Sequence, residues 1–174
     1  MASKSNKCSQ PVAETLSTDI TAYWHQQISL LGRGTIFVDS GAILEAHNRQ
    51  DKNYSQFFKT ATFKFVTSSF VVAETARRFI KSAPYQFCGP AGEQQIALAI
   101  HFIRNWLTEN RVVVLHVPEV VFDQACRTFE GNRHTGCDLN DIISFVIVKG
   151  LEQSRIAAKD SHFRTLGLTL LPGA

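Results

Sequence analysis

No stretch of this chain is apolar enough to cross a bilayer. The longest, Ile142–Val148, is interrupted by Ser144 and falls far short of the ~20 residues that a membrane helix needs. Met1 to Glu14 is polar and has no apolar core, so no signal peptide is expected there. Cysteine is sparse. Cys8, Cys88, Cys126 and Cys137 form no C-x-x-C pair, which leaves a zinc knuckle or a thioredoxin-type redox pair without support. Reduced thiols in a cytoplasmic protein are the expectation. Internal repeats and low-complexity tracts are missing too. Charge of either sign is nearly balanced: a net charge of +3 tolerates an anionic partner without demanding one.

What is present is enough for one globular domain. The 174 residues are 44% hydrophobic and 19% charged, sufficient to close a single core without disulfides or a structural metal. Residues 1 to about 17 are polar and expected to be loose. From Asp19 to Leu31, apolar Ile20, Tyr23, Trp24, Ile28 and Leu31 recur at three- and four-residue steps, a helix pattern capped by Thr18 or Asp19 and stopped by Gly32. Thr35–Val38 is a short β-rich apolar run ending at Asp39, as in a strand buried on both faces. Helices are expected near 41–48, 54–62, 69–81, 92–109, 118–129, 139–152 and 161–166, and strands near 64–67, 111–116, 155–158 and 168–171. The Pro84–Gly92 stretch is the clearest internal loop. This alternation predicts an α/β fold with a mostly parallel sheet and helices on both faces.

In an open parallel sheet, ligands gather at the carboxyl ends of the strands. Of the 15 acidic residues, three meet that condition: Asp39 ends the first strand, Asp160 follows the strand near Ile156–Ala158, and Asp141 opens a helix. Glu74 differs, lying on the apolar face of the helix that follows the Lys64–Thr67 strand. Each has an ordinary alternative. Asp39 and Asp160 could cap the helices after them, and Asp138 with Asp141 could make a capping box. Glu74 could pair with Arg77 or Arg78. Four such coincidences at one end of one sheet are a less economical account than a shared site. Clustered carboxylates repel unless a cation joins them, and an all-oxygen set suits Mg²⁺ or Mn²⁺ over zinc.

The ordered motifs resemble a known family. Ile36-Phe37-Val38-Asp39-Ser40-Gly41 is similar to the opening motif of PIN domains, and Thr67-Ser68-Ser69-Phe70-Val71-Val72-Ala73-Glu74 to the second. Asp138-Leu139-Asn140-Asp141 resembles the third in its VapC-toxin version, in which Asp141 is the aligning acid. Ala157-Ala158-Lys159-Asp160-Ser161-His162-Phe163 resembles the fourth. The agreement runs from about residue 34 to 172. Family members often carry Thr or Ser where this chain has Ala158, and residues 1–34, an extension with one helix, have no counterpart in a minimal toxin. The resemblance implies a Rossmann-like three-layer α/β/α sandwich over residues 35–174. It also implies one or two Mg²⁺ or Mn²⁺ ions on Asp39, Glu74, Asp141 and Asp160, and endoribonuclease activity leaving a 5′-phosphate. For a VapC-type member it further implies a homodimer neutralised by a small antitoxin protein.

RNA would need cations beside such a site. Arg77, Arg78, Arg133 and Lys159 are the first candidates, with Lys81, His134, Lys149 and Arg164 also available, although scattered Lys and Arg are commonly plain solvated surface. Ser40, Thr67, Ser68 and Asp138 are the candidate hydrogen-bonding supports of the carboxylates. His101 and His162 are assigned to packing or surface rather than to metal ligation. A dehalogenase-type hydrolase would want an acid two residues after Asp39, where Gly41 stands. A receiver domain lacks its extra acid and late lysine. A PIN-like protein that is no toxin, either a housekeeping RNA-processing enzyme or a module that binds RNA or protein without cutting, remains the other reading.

Overall fold

The computed structural model describes residues 12–32, 34–47, 52–81 and 90–173. The expected loose residues 1–11, Cys8, Cys88 and the 84–89 part of the expected loop lie outside them. In chain order the elements are α1 (Val12–Leu31), β1 (Ile36–Val38), α2 (Ser40–His47), α3 (Lys52–Thr60), β2 (Phe65–Ser68), α4 (Ser69–Lys81) and α5 (Pro90–Glu109). There follow β3 (Val113–Leu115), α6 (Glu119–Gly131), a 3-10 turn (Arg133–Thr135), α7 (Leu139–Gly150), β4 (Arg155–Ala157), α8 (His162–Thr165) and β5 (Thr169–Leu171).

The five strands form one parallel sheet in the order β3-β2-β1-β4-β5. Ile36, Phe37 and Val38 of the central strand are all fully buried, whereas the edge strands β3 and β5 each begin on an exposed residue. That gradient is what a sheet covered on both faces requires. α2 to α5 pack against one another, as do α1 with α6, α6 with α7 and α7 with α8, giving the three-layer α/β/α sandwich expected from the sequence. Because β2 and β3 lie to one side of β1 and β4 and β5 to the other, the chain reverses its direction of growth between β1 and β4. A crevice opens at their carboxyl ends at such a switch point.

Several boundaries differ from the sequence expectation. Helix α1 starts at Val12, so residues 12–17, expected to be loose, are helical. β3 is shorter than the expected strand 111–116, and Arg111 takes a left-handed conformation (φ 52°) that turns the chain before pairing begins. α7 stops at Gly150 rather than 152, since Glu152 is also left-handed (φ 56°).

Helix α1 is tied into the body. Trp24 and Leu31 belong to the core, and the Trp24 ring lies so close over Gly150 that a Cβ there would come within 2.1 Å of it. Only glycine allows that approach.

Candidate functional site

The buried apolar residues of β1 deliver Asp39 to the crevice. Its backbone N–H donates to the Ala157 carbonyl of β4 at 2.9 Å, locking the residue onto the switch point. Its Oδ2 accepts from the Gly41 N–H at 3.1 Å, and its carbonyl accepts from Ala42 and Ile43, so Asp39 does cap α2. Capping does not account for its burial. Asp39 is only 4% exposed, and its carboxyl is pushed up to about 7, first by burial, with the Gly41 N–H opposing and the charges of Glu74 and Asp141 adding to the rise.

Asp141 is also a cap and also an electrostatic outlier. Its N–H donates to Asp138 Oδ1 and its Oδ2 accepts from the Asp138 N–H, each at 3.0 Å, completing the capping box that starts α7. Burial pushes its carboxyl up to about 6, against the pull of the Asp138 N–H. The charges of Asp138, Asp160 and Glu74 push further. These cross-influences bring all four acids singled out by sequence into one neighbourhood, with Asp141 coupled to both Glu74 and Asp160.

Glu74 extends from α4, its side chain 13% exposed, and pairs with Arg78 one turn later at 3.5 Å. The same guanidinium donates to the buried Ser40 Oγ at 3.0 Å, so Arg78 bridges α4 to the start of α2. Asp160 is the most exposed of the set at 46% and accepts from the His162 N–H at 3.0 Å, the capping geometry expected as its alternative role. Thr67 donates to the Val38 carbonyl at 2.8 Å, pinning β2 to β1 beside Asp39. Ser68 accepts from the Val71 N–H at 3.2 Å and so caps the helix carrying Glu74.

The candidate RNA contacts divide. Arg78 is engaged as described, and Lys159 forms an ion pair with Glu45 of α2. Arg77 and Arg133 are exposed. Two neighbours were not legible as site residues. His162, assigned to packing or surface, places Nδ1 3.1 Å from Asp160 Oδ1 and 3.8 Å from Asp141 Oδ2. Cys137 lies buried beside it, its thiol pushed up by burial and by the surrounding carboxylates. The spacings Cys137 to Asp141 and Asp160 to His162 were the available signals. Ala158 is dry, and its carbonyl instead accepts from the Tyr54 hydroxyl at 3.0 Å. A cleft of about 1090 Å³ lined by His47, Phe58, Phe79, Phe102 and Trp106 lies elsewhere and includes none of the four acids.

By sequence alone the chain matches no protein-family model and no curated protein. Solved structures do match it. VapC20 of Mycobacterium tuberculosis, described as a sarcin-ricin-loop-cleaving toxin, superposes with a TM-score of 0.60 at 20% identity, covering 77% of this chain and 96% of that one. VapBC2 of Rickettsia felis, bound to a DNA fragment from its promoter, gives 0.54 at 14% identity over 78% and 96%. The chain thus shares the fold of these two structures, the three-layer α/β/α sandwich that its four motifs led one to expect.

Proposed function

We propose that this chain is a metal-dependent endoribonuclease that hydrolyses RNA phosphodiester bonds, the toxin of a toxin–antitoxin pair. One observation carries the reading. Asp39 and Asp141, at the switch point of a parallel sheet, are both raised by burial and by neighbouring acids. Structural acids ordinarily move the other way, toward partners that stabilise their charge. The donors recorded for Asp39 are backbone N–H groups, which supply no positive charge. An oxygen-only set with surplus negative charge fits Mg²⁺ or Mn²⁺, held by Asp39, Glu74, Asp141 and Asp160. Such an ion supplies charge neutralisation and polarisation of the phosphodiester.

The remaining work belongs to the chain. Capping bonds from Gly41 and Asp138 fix the Asp39 and Asp141 carboxylates at defined angles, while Thr67 and Ser68 hold the strand and helix that carry them. Arg78 orients Glu74 and Ser40 and, half-exposed, keeps its guanidinium accessible to a phosphate. Arg77, Arg133 and Lys159 are the cations we assign to the RNA backbone, whose contacts position without reading sequence. Residues 35–174 form the nuclease body and residues 1–34 an extension. A homodimer, a small antitoxin and a cytoplasmic location complete the proposal. Among the described residues no helix is long and apolar enough to cross a membrane.

A second reading, a module that binds RNA or protein without cutting, draws on the capping box, the Glu74–Arg78 pair and the Asp160–His162 contact, which give three of the acids ordinary partners. It leaves the burial of Asp39 without a cause. Cleavage of RNA with Mn²⁺, measured with and without EDTA on wild type and Asp39→Asn, decides between the two. Activity abolished by either change supports the nuclease. Cleavage indifferent to both would sink it. Growth arrest on expression, relieved by a small neighbouring reading frame, tests the toxin assignment.

A further inference from the structure

We propose that Cys137, Asp141 and His162 form a thiolate–carboxylate–imidazole site for a borderline transition-metal cation of the Zn²⁺ class, and that filling it occupies Asp141, a member of the acidic cluster. One ligand atom from each of the three lies within 4.8 Å of the others. Zinc bond lengths of 2.0–2.3 Å imply tetrahedral edges of roughly 3.3–3.7 Å. The 3.8 Å between His162 Nδ1 and Asp141 Oδ2 is already close to such an edge.

A second observation points the same way. His162 Nδ1 is buried from solvent yet makes no aligned hydrogen bond, although two carboxylates face it. The contact recorded for the Cys137 thiol across the gap between the elements is a long one, 3.9 Å to the His162 carbonyl. Buried polar atoms without aligned partners are uncommon, and each calls for a cause. The frame around them is firm. Gly136 takes a left-handed turn (φ 74°) that presents Cys137 to α8, Asp141 is held by its capping box, and the fully buried Phe163 anchors His162. Mg²⁺ and Ca²⁺ do not seek a thiolate; Zn²⁺ and Co²⁺ do. On binding, the Cys137 sulfur releases its proton to solvent as the metal–sulfur bond forms.

Binding stands on these three side chains alone, whereas its inhibitory consequence rests on the nuclease reading, through Asp141. The test is a Co²⁺ titration of the full-length, metal-stripped chain without RNA. The expected result is a near-ultraviolet thiolate-to-cobalt charge-transfer band that saturates at one ion per chain and is bleached by Zn²⁺. Cys137→Ala abolishes it. His162→Gln, a change at a half-exposed position, weakens Co²⁺ binding by more than the roughly 10–100-fold that losing an outer partner of a metal ligand costs. Asp39→Asn keeps the band. No band in wild type, or one unchanged in His162→Gln, overturns the site even where Cys137→Ala fails to fold. In a separate arm, Zn²⁺ slows Mn²⁺-dependent RNA cleavage, and more Zn²⁺ is needed in His162→Gln. Wild type that cleaves no RNA yet shows the cobalt band removes the nuclease reading and leaves the metal site standing.

Discussion

Burial pushes a carboxylate that is 4% exposed toward its neutral form against the backbone N–H groups that hold it, and Asp39 is raised to about 7, near physiological pH. The direction sets a stability prediction. A carboxyl whose folded pKa lies above its unfolded value near 3.8 binds its proton more tightly when folded. Its stabilisation is therefore complete below about pH 4 and is lost as pH rises to about 7, with Asp141, at about 6, contributing the same sign. Metal-free protein should lose on the order of a few kcal/mol over that window. Thermal denaturation in EDTA checks this: Asp39→Asn should flatten the decline, and Mn²⁺ should raise the midpoint more at neutral than at acid pH. Arg78 offers a second test at this scale. Its guanidinium serves Glu74 and Ser40 together, so Arg78→Ala should lower RNA cleavage by about 10–100-fold. Arg78→Lys should not restore it, because an ammonium lacks the planar fork. Steady-state cleavage rates decide.

At the scale of the element, α7 shows how one residue serves stability and site together. The apolar run Ile142–Val148 is almost wholly buried, and the helix starts where Asp138 and Asp141 exchange backbone hydrogen bonds. Removing the cap in Asp138→Ala should cost about 1 kcal/mol. Asp138→Asn should retain most of it while removing a negative charge beside Asp141. Urea unfolding measures the first effect. The second should appear as a lower apparent pKa for Asp141 by carbon-13 NMR, since the Asp138 charge is among the causes that raise it. α4 follows the same logic, with Ser68 capping the helix whose next turns carry Glu74 and Arg78.

At the scale of the molecule, the strand order places the carboxyl ends of β1 and β4 side by side, and the contact between α1 and α7 makes the first helix part of the body. Gly150→Ala would drive a Cβ into the Trp24 ring and should destabilise by about 1–3 kcal/mol or more. Trp24→Ala should cost about 3–5 kcal/mol. Because the two residues touch, the double variant should lose less than the sum. Additive losses in denaturant unfolding would mean that α1 is not seated on α7 in solution.

Local sequence determined much of this protein, and the reason is that local structure is written in short periods. Apolar steps of three and four residues marked the helices, short β-rich runs marked the strands, and their alternation implied a parallel sheet. Asp39, Asp141 and Asp160 stood out because strand ends and helix starts are positions along the chain. The helix end at Gly150 escaped, since it depends on a left-handed Glu152, and the start of α1 at Val12 lay in a terminus read as loose from its polar composition. Other pairings lay beyond any local pattern: Arg78 with Ser40, Lys159 with Glu45, and Cys137 beside His162 join residues 38, 114 and 25 positions apart. Only the tertiary structure decided these, because strand order and helix packing set which distant side chains meet. At the switch point, burial and mutual repulsion turned two capping aspartates into the centre of a candidate metal site.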